Sequence, residues 1–469
     1  MSEQQYDLVI IGAGSGGVTA AGFASRLGAK VALVERHRIG GDCTWTGCVP
    51  SKALLKVAKV AHEARSAARF GITVGQLVLD MAAVRAYVQS AIGAVYELET
   101  PEQLRAKGIT VLVGAARFLD PQTIAVGADR ISAKYFLITT GARPIIPDIE
   151  GLTSVPFVTY EQIFSNEVLP KRMLVIGGGP IGLEMTQAYQ RLGAQVTVVA
   201  NDILPKDDPD AREVIRRVLE SEGVQFVAAR ASAVRMSGQE IVLIAGSNEF
   251  VGDLLLVAAG RRPTVDGLDL EKAGVSFSNQ GIGVDSQLRT NVKHIYAAGD
   301  VTGGYQFTHF AGWQAFQAVR NALLPGSSSG LTDLVPWVTF TDPEIAHIGL
   351  TEAHAKQQFG DAVQVRRWDL HHTDRAVSDG EREGFTKLIA KSDGTILGAT
   401  IVAPRAGEAV TEIIVAMKHG LKIADLAGAI HPYPTYSTAI QQLAADATIE
   451  SLLSGVGGAV LKGLSKWIR

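Results

Sequence analysis

The sequence predicts an α/β fold that contains two copies of one βαβ unit and a separate C-terminal αβ region. Short Val/Ile/Leu runs alternate with helical stretches along the 469 residues, which is typical of parallel sheets. The run LVIIGAGSGG at Leu8–Gly17 recurs as LVIGGGPIG at Leu174–Gly182. From about Val335 onward strands and helices alternate again, but without a glycine-rich turn of that kind. The length suggests roughly three domains of about 150 residues each.

Composition and hydropathy bear on partners and location. Charged residues make up 19% of the chain and the net charge is −3, so no basic face indicates nucleic acid as a partner. No apolar run reaches about 18 residues, the length of an ordinary transmembrane helix. The chain passes from MSEQQ directly into the apolar run Tyr6–Ile11, and no signal peptide is visible. We therefore expect a cytoplasmic protein.

Each copy of the repeat places G-x-G-x-x-G between a predicted strand and a helix, and a second strand follows (Val31–Val34 and Val196–Val199). The bare pattern is weak in a chain with 50 glycines, but its strand–turn–helix–strand context occurs twice. Such glycines permit a tight turn and bring backbone N–H groups to a pyrophosphate at the helix N-terminus. The glycines of the two motifs are Gly12, Gly14 and Gly17 in the first copy and Gly177, Gly179 and Gly182 in the second. The sequence thus predicts two Rossmann-like dinucleotide sites.

The residue at the end of the second strand distinguishes the two sites. In the first copy it is Glu35, whose carboxylate can accept hydrogen bonds from both hydroxyls of an unphosphorylated adenosine ribose, as in FAD or NAD. The equivalent position in the second copy is Ala200, followed by Asn201 and Asp202. Neither the ribose-binding carboxylate nor a phosphate-pairing arginine stands at that position, so the choice between NADH and NADPH stays open.

The chain has two cysteines, Cys43 and Cys48, within GGDCTWTGCVPSK at residues 40–52. A C-x4-C pair can form a disulfide, bind a soft metal with other ligands, or be inert. Here it follows the first βαβ unit and begins a predicted helix, and a helix N-terminus favours the thiolate and makes the sulfur reactive. We interpret the pair as a redox dithiol beside a cofactor.

The pattern outside these motifs predicts further elements. They are helices over 51–68 and 84–98, C-terminal strands at Trp337–Phe340, Thr386–Ile389 and Ile396–Val402, and C-terminal helices at Gly407–Lys418 and Tyr436–Ala445. The last stretch, Gly455–Arg469, is amphipathic and basic. We favour a docked C-terminal helix there over contact with a membrane.

Five ordered motifs carry a family resemblance. Besides the cysteine segment they are LITTGARP at Leu137–Pro144, VAAGRRPT at Val257–Thr264, the stretch Thr290–Asp300, and FTDPE at Phe340–Glu344. Together they resemble the class I flavoprotein pyridine nucleotide–disulfide oxidoreductases, in particular the mercuric reductase-like and dihydrolipoamide dehydrogenase-like members. The resemblance implies a homodimer. It also implies an FAD-binding domain (1–148), an NAD(P)-binding domain (149–270), a return segment completing the FAD domain (271–334) and an interface domain (335–469).

The resemblance also implies site roles, with FAD on the first unit and NAD(P)H on the second. Cys48 would contact the flavin, Cys43 would be the interchange thiol that meets the acceptor, and Lys52 with Glu184 would form an ion pair near flavin N5. Asp300 would bond the ribityl chain, and the stretch from Thr308 would lie near the flavin. The residues assigned to the cofactor sites are Gly12, Gly14, Gly17, Glu35, Lys52, Ala115, Thr140, Gly141, Gly177, Gly179, Gly182, Gly260, Asp300, Thr308 and His309.

The chain departs from the disulfide-reducing relatives near its C-terminus. Those relatives carry His-Pro-Thr with a Glu five residues after the His, a pair that protonates the departing thiol as a general acid. Here the segment is HPYPTYST at residues 431–438. One register puts Tyr433 at the His position and Thr438 at the Glu position, and the other makes His431 the base with Tyr436 five residues on. Neither register restores the dyad, and we assign Tyr433 to the catalytic set.

A tyrosine there resembles mercuric reductase, although the C-terminal cysteine pair of that enzyme is absent from this sequence. Tyrosine is a poor proton donor near neutral pH, since its unperturbed pKa is about 10. His431 could serve as an acid or ligand or be structural, and the pair His371–His372 is interpreted as a loop rather than a metal site. No residue is assigned to a metal.

Three functions follow from these features. The first is an FAD-dependent NAD(P)H oxidoreductase that passes electrons through the flavin to the Cys43–Cys48 disulfide and on to a soft metal ion, such as Hg²⁺, or a disulfide. The second is a dihydrolipoamide dehydrogenase that acts on a lipoyl carrier without the usual dyad. The third is a redox-sensing or metal-sensing flavoprotein.

Overall fold

A computed structural model describes residues 4–454, 458–461 and 463–464. Most of the predicted amphipathic tail at 455–469 therefore lies outside the described residues. The chain divides into two compact units, the first comprising residues 1–201 and 223–332 and the second residues 202–222 and 333–469. The boundaries between the four segments predicted from the sequence stay a prediction.

The first unit combines three main sheets with helices. Its strands are β1 (Gln4–Ile11), β2 (Val31–Glu35), β3 (Thr110–Val113), β4 (Ala116–Asp120), β5 (Thr123–Val126), β6 (Asp129–Ile138), β7 (Ala142–Pro144), β8 (Arg172–Ile176), β9 (Gln195–Val199), β10 (Gln225–Val227), β11 (Ala231–Ser237), β12 (Glu240–Ala245), β13 (Asn248–Gly252), β14 (Leu254–Val257), β15 (Arg261–Pro263), β16 (Phe277–Ser278), β17 (Gly281–Ile282) and β18 (Ile295–Ala297). Its helices are α1 (Ser15–Arg26), α2 (Gly41–Trp45), α3 (Cys48–Ser66), α4 (Met81–Tyr96), α5 (Pro101–Ala106), α6 (Pro180–Leu192) and α8 (Thr308–Leu323).

The largest sheet explains the unbroken apolar run of β1. Its order is β3-β2-β1-β6-β5-β4, and β18 pairs with the second half of β6. Strands β3, β2, β1, β6 and β18 run parallel to one another, whereas β5 pairs antiparallel with both β6 and β4. Successive side chains of β1 enter two different cores, with Leu8 and Ile10 on one face and Val9 and Ile11 on the other. Both faces are buried, so the strand does not alternate between apolar and polar residues.

A second parallel sheet of order β10-β9-β8-β14 contains the second copy of the repeat. The antiparallel strands β11, β12 and β13 form a separate sheet beside it, and the two share one apolar core. Leu174 and Ile176 of β8 and Leu243 of β12 lie in that core. The repeated sequence therefore forms two βαβ units, as predicted.

The second unit is built on a five-stranded antiparallel sheet of order β19-β20-β23-β22-β21. Its strands are β19 (Trp337–Thr339), β20 (Glu344–Gly349), β21 (Val363–Asp369), β22 (Phe385–Lys391) and β23 (Ile396–Ala403), and its helices are α7 (Pro209–Ser221), α9 (Glu352–Phe359), α10 (Asp374–Asp379), α11 (Ala406–Lys418), α12 (Ile423–Gly428) and α13 (Thr438–Leu453). Helices α11 and α13 bury apolar residues against the sheet, among them Ile413 and Ile440.

Buried polar contacts attach α7 to this sheet. Thr400 of β23 donates to Asp208, the residue before α7, across 2.8 Å. Lys387 of β22, only 4% exposed, lies 2.6 Å from Asp210. A buried ammonium is retained only when carboxylates surround it, so these contacts explain why residues 202–222 belong with the C-terminal region.

The predicted elements match the structure with shifted ends. The helix predicted over 51–68 begins at Cys48, and the helix predicted over 84–98 begins at Met81. Strands β20 and β21 were not predicted, because their residues mix apolar and charged side chains without a clear period. Among the described residues, no helix has both the length and the apolar character needed to cross a bilayer.

Candidate active site

The redox loop, defined as Gly40–Cys48, lies directly on the first glycine turn. Gly40 donates its backbone N–H to Ala13 O across 2.8 Å. A Cβ on Gly41 would lie 2.7 Å from the Cα of Gly14, and Gly41 has φ +57°. Glycine is therefore required here both by the left-handed backbone and by the close approach. This contact brings the cysteines to the edge of the predicted dinucleotide site.

The two cysteines are free thiols of unequal acidity. The Cys43 thiol hydrogen-bonds the Cys48 sulfur, which raises the pKa of Cys43 and lowers the pKa of Cys48 to about 6. The Thr308 hydroxyl, 3.4 Å from Cys48 Sγ, and the Lys52 ammonium contribute to this lowering of the Cys48 pKa, against the effect of burial. Cys48 is also the first residue of α3, where the helix dipole favours a negative charge. The arrangement places the thiolate on Cys48 and the proton on Cys43.

Lys52 and Glu184 form an ion pair one helical turn beyond Cys48. Lys52 Nζ lies 3.2 Å and 3.0 Å from the two carboxylate oxygens of Glu184. Glu184 is on α6 and is 6% exposed, whereas the Lys52 side chain is 36% exposed. The pairing predicted from motif positions is present, and its role near flavin N5 stays a prediction.

The first glycine turn has the geometry of a phosphate cradle. Gly12 has φ +100°, and a Cβ there would lie 2.5 Å from Thr139 O. A Cβ on Gly17 would lie 1.9 Å from Gly12 O, whereas one on Gly14 would meet nothing closer than 3.9 Å. Neighbouring backbone thus excludes side chains at Gly12 and Gly17, whereas the space at Gly14 leaves the backbone open to a ligand. This arrangement fits a dinucleotide pyrophosphate.

Glu35 lies at the same turn. One of its carboxylate oxygens accepts from Ala13 N and the other from His37 N, each across 2.8 Å. These bonds fix the carboxylate at the end of β2, where an adenosine ribose lies in this type of site. The residues of the first unit therefore fit FAD.

The second glycine turn repeats the construction. Gly177 has φ +116°, and a Cβ there would lie 2.3 Å from Ala258 O. A Cβ on Gly182 would lie 2.3 Å from Gly177 O, and one on Gly179 would have no heavy atom within 4 Å. The second βαβ repeat therefore fits a dinucleotide as well.

Asp300 belongs to a buried network that sequence reasoning missed. Arg261 Nη1 lies 2.9 Å from Asp300 and Arg261 Nη2 lies 2.6 Å from Asp42. The Tyr160 hydroxyl donates to Asp42 across 3.1 Å and accepts from Arg261 Nε across 3.3 Å. Burial raises the pKa of Asp300, and Arg261 partly opposes this. Asp42 and Arg261 both lie in motifs quoted above, but no pattern in the sequence links two residues that are 219 positions apart.

The other predicted cofactor residues occupy turns and strand ends. Ala115 is exposed between β3 and β4. Thr140 donates to Thr264 O across 2.6 Å, and the His309 ring stacks on Phe307 with centroids 5.4 Å apart. The left-handed backbone at two further predicted positions requires glycine, namely Gly141 and Gly260. Their contacts with a cofactor stay predictions.

In the second unit, Tyr433 is exposed and bound to a carboxylate. Its hydroxyl donates to Asp374 Oδ2 across 2.7 Å, and this bond raises the pKa of Tyr433. Tyr436, three residues on, makes the matching bond to Asp379 across 2.9 Å. Two tyrosines of the segment 431–438 thus attach it to α10. The structure keeps the Tyr433 phenol protonated and accessible.

His431 has a carboxylate partner that the sequence search did not find. Its Nε2 lies 2.8 Å from Glu412 of α11, and its Nδ1 lies 3.1 Å from Ala429 O. No carboxylate stands five residues after His431 in the sequence, and packing supplies one 19 residues upstream. Both ring nitrogens of His431 are hydrogen-bonded and its side chain is only 6% exposed, so His431 stabilises the segment 431–438.

The histidine pair His371–His372 forms part of a single 3-10 turn (Leu370–His372) rather than an irregular loop, with ring centroids 3.8 Å apart. Within the described part of the chain, no three His, Cys, Asp or Glu side chains are grouped in a way that could hold a metal ion.

Comparison with known proteins agrees with this geometry. Residues 6–315 match the pyridine nucleotide-disulphide oxidoreductase family and residues 335–444 match its dimerisation domain, which supports a homodimer. The chain is 34% identical to a mercuric reductase of Lysinibacillus sphaericus, over 94% of this chain and 82% of that enzyme. It is 36% identical to a dihydrolipoyl dehydrogenase of Thermus scotoductus, over 94% and 96%.

A solved structure has the same fold. The Cu(II) complex of the HOCl-induced flavoprotein disulfide reductase RclA from Escherichia coli superposes with a TM-score of 0.86 at 26% identity, over 95% of this chain and 99% of that one. The family uses FAD and NAD(P)H. The chain belongs to the pyridine nucleotide-disulphide oxidoreductases.

Proposed function

We propose that this enzyme reduces a thiophilic metal ion, delivered as a thiolate complex, at Cys43 and Cys48 with electrons from NAD(P)H. The observation that carries the proposal is the exposed Tyr433–Asp374 pair; in one of the two registers of segment 431–438, Tyr433 takes the position at which disulfide-reducing relatives have a proton-donating histidine. When bound, FAD would accept a hydride from NAD(P)H and would pass an electron pair to a disulfide.

The glycine turns would hold the two nucleotides through backbone N–H groups. Glu35 would bind the adenosine ribose of FAD, and Asp300 would bind its ribityl chain. Lys52, paired with Glu184, keeps a positive charge one turn from Cys48 and stabilises its thiolate. Cys48 is therefore the sulfur that would carry negative charge toward a bound flavin.

Cys43 carries the proton of the pair and meets the acceptor. As the Cys43 sulfur takes the metal, its S–H bond breaks and a metal–thiolate bond of the incoming complex breaks, and the departing thiolate takes the proton to leave as a thiol. For a complex of Hg²⁺ with two thiolates the overall change is one NAD(P)H plus one proton plus the complex, giving NAD(P)⁺, Hg⁰ and two thiols. NAD(P)H is oxidised by two electrons and the metal is reduced by two.

Proton supply separates the two acceptor classes. Cleavage of a disulfide expels a thiolate whose conjugate acid has a pKa of about 8.5, so a positioned acid accelerates it. Exchange of one thiolate ligand for another on a soft metal needs no such acid. A phenol held by Asp374 is a poor acid, and His431 has both ring nitrogens occupied. The mercuric reductase relatives and the Cu(II) complex of RclA further support a metal acceptor.

A dihydrolipoamide dehydrogenase is the second candidate, favoured by the 36% identity over nearly the whole Thermus enzyme. A lipoyl carrier would then react with Cys43 by another proton path. A sensing flavoprotein would instead bind metal in stoichiometric amount with negligible oxidation of NAD(P)H.

One acceptor screen tests these alternatives. NADH and NADPH oxidation is followed by absorbance with Hg²⁺ in excess thiol, Cu²⁺, glutathione disulfide and lipoamide, and NAD⁺ reduction is followed with dihydrolipoamide. We expect the metal–thiol complexes to give the highest kcat/KM. Steady NAD⁺ reduction by dihydrolipoamide at a higher kcat/KM than any metal acceptor would overturn the proposal.

A further inference from the structure

Asp42 immediately precedes Cys43 and binds outside the redox loop. Its carboxylate lies 2.6 Å from Arg261 Nη2 and accepts from the Tyr160 hydroxyl across 3.1 Å. Within the redox loop, α2 is only five residues long and is closed by short-range backbone bonds such as Thr46 N to Asp42 O across 2.9 Å. An isolated turn of that length is unstable on its own. The bonds of Asp42 therefore add a restraint that the loop's own backbone does not provide.

Arg261 uses all three guanidinium nitrogens in these contacts. Nη2 binds Asp42, Nη1 binds Asp300 across 2.9 Å, and Nε donates to Tyr160 across 3.3 Å. The Arg261 and Asp300 side chains are only 19% and 12% exposed. A planar fork can hold two carboxylates in fixed directions, which a lysine ammonium cannot reproduce.

The four residues, called here the Arg261 network, connect segments far apart in the chain. Arg261 begins β15, which pairs with β7, and Asp300 follows β18, which pairs with β6. Asp42 thus attaches the redox loop to two strands of fixed register.

We propose that Asp42 is a positioning residue for Cys43, holding the redox loop through Arg261 against Asp300. This role rests on the proposed function only in taking Cys43 and Cys48 as the redox pair. When the reduced pair becomes a disulfide, the S–H bond of Cys43 breaks, an S–S bond forms with the Cys48 thiolate, and one proton and two electrons leave. A fixed loop keeps the sulfurs close in both states and so favours the disulfide.

Loss of Asp42 shifts this equilibrium in one direction by two routes. A looser loop lowers the effective concentration of one sulfur near the other, which disfavours the disulfide. Asp42→Asn also leaves Arg261 with one carboxylate partner fewer, and the added net positive charge of this network stabilises thiolate, which favours the reduced form. Both effects make the disulfide easier to reduce.

The test measures the disulfide–dithiol equilibrium of the holoenzyme in lipoate–dihydrolipoate buffers without oxygen. The dithiol of the protein is oxidised as lipoate is reduced, and alkylation followed by mass spectrometry reports the ratio. We expect Asp42→Asn to lower the equilibrium constant for disulfide formation about tenfold, which corresponds to about 30 mV for a two-electron couple. Arg261→Lys, which keeps the charge but not the fork, should lower it several-fold, and Asp42→Glu should restore part of the loss.

Glu249→Gln provides the matched control, because Glu249 pairs with Arg235 on an exposed surface of the same unit. It should leave the constant unchanged. Tyr160→Phe removes one bond to Asp42 without changing charge and serves if Asp42→Asn fails to fold. Constants within twofold of the wild type in the folded variants of Asp42, Arg261 and Tyr160 would refute the positioning role. The disulfide–dithiol equilibrium constant does not depend on the natural acceptor. It therefore tests the role of Asp42 even if the acceptor screen contradicts the proposed function.

Discussion

Tyr433 donates its phenolic hydrogen to Asp374 across 2.7 Å while its own side chain remains 73% exposed. The carboxylate stabilises the protonated phenol and disfavours the phenolate, so the pKa of Tyr433 rises. A group in this state accepts or donates hydrogen bonds to an incoming molecule but does not release its proton near neutral pH. This is the physical basis for preferring a metal–thiolate acceptor over a disulfide.

Asp374→Asn is expected to lower the pKa of Tyr433 toward about 10, the ordinary value for tyrosine. The tyrosinate absorbance of the variant, with that of a Tyr433→Phe background subtracted, measures the shift. Asp379→Asn is the matched control, because it removes the equivalent partner of Tyr436 and should leave Tyr433 unchanged. An unchanged Tyr433 titration in Asp374→Asn would show that the pair does not form in solution.

Tyr433→Phe should raise the KM for a metal–thiol acceptor and reduce kcat by less than about tenfold, because the phenol orients the acceptor without transferring a proton. Steady-state kinetics across pH measure both constants. A loss of 10²-fold or more in kcat, together with loss of a basic limb in the pH profile, would instead identify Tyr433 as a general acid.

The Cys48 thiolate should titrate near pH 6 in the reduced protein, because Cys43 donates a hydrogen bond to it. Cys43→Ala removes that bond, and the midpoint should move up toward about 8.5, the value of an unperturbed thiol. The rate of Cys48 alkylation as a function of pH measures the midpoint. Coincident profiles for the wild type and Cys43→Ala would contradict the assignment of the thiolate.

Lys52→Met should destabilise the protein by about 1–3 kcal/mol, since it leaves Glu184 buried without its ammonium partner; the partial exposure of Lys52 keeps the effect below that of a fully buried pair. It should also raise the pKa of Cys48, because Lys52 lowers it in the wild type. Denaturant unfolding of Lys52→Met, Glu184→Gln and the double variant separates the pairwise energy. Additive effects of the two single changes would mean that the ion pair contributes nothing.

Gly17→Ala and Gly182→Ala should separate the two nucleotide sites. Each new Cβ would collide with the carbonyl of the first glycine of its own turn, at 1.9 Å and 2.3 Å respectively. The first change should abolish retention of FAD, whereas the second should keep FAD and weaken NAD(P)H binding. Gly22→Ala, on α1 with open space around it, is the control and should leave both bound. Flavin absorbance after gel filtration and nucleotide titration check each outcome.

The parts of the site predicted from sequence are those encoded by local pattern. The glycine turns were predictable because their first and third glycines are required by close backbone approaches within about 25 residues of strand, turn and helix. The fold class was confirmed for the same reason: buried parallel strands need continuous apolar runs, which LVII and LVI provide.

The rest depends on packing between distant segments. Asp374 reaches Tyr433 over 59 positions, and Asp42 reaches Arg261 over 219. Glu412 binds His431 from a helix upstream of it, whereas the dyad of the disulfide-reducing relatives has its Glu downstream of the His. Such pairs are brought together by the tertiary contacts of α10, α11 and β15, and no periodicity in the sequence predicts them.

The most direct measurement of the central claim is the yield of elemental mercury per NAD(P)H oxidised, with Hg²⁺ supplied as a thiol complex to the wild type and to Cys43→Ser. The account predicts one Hg⁰ for each NAD(P)H in the wild type and no enzyme-dependent Hg⁰ in the variant. NAD(P)H oxidation without Hg⁰, or an equal yield from Cys43→Ser, would contradict it.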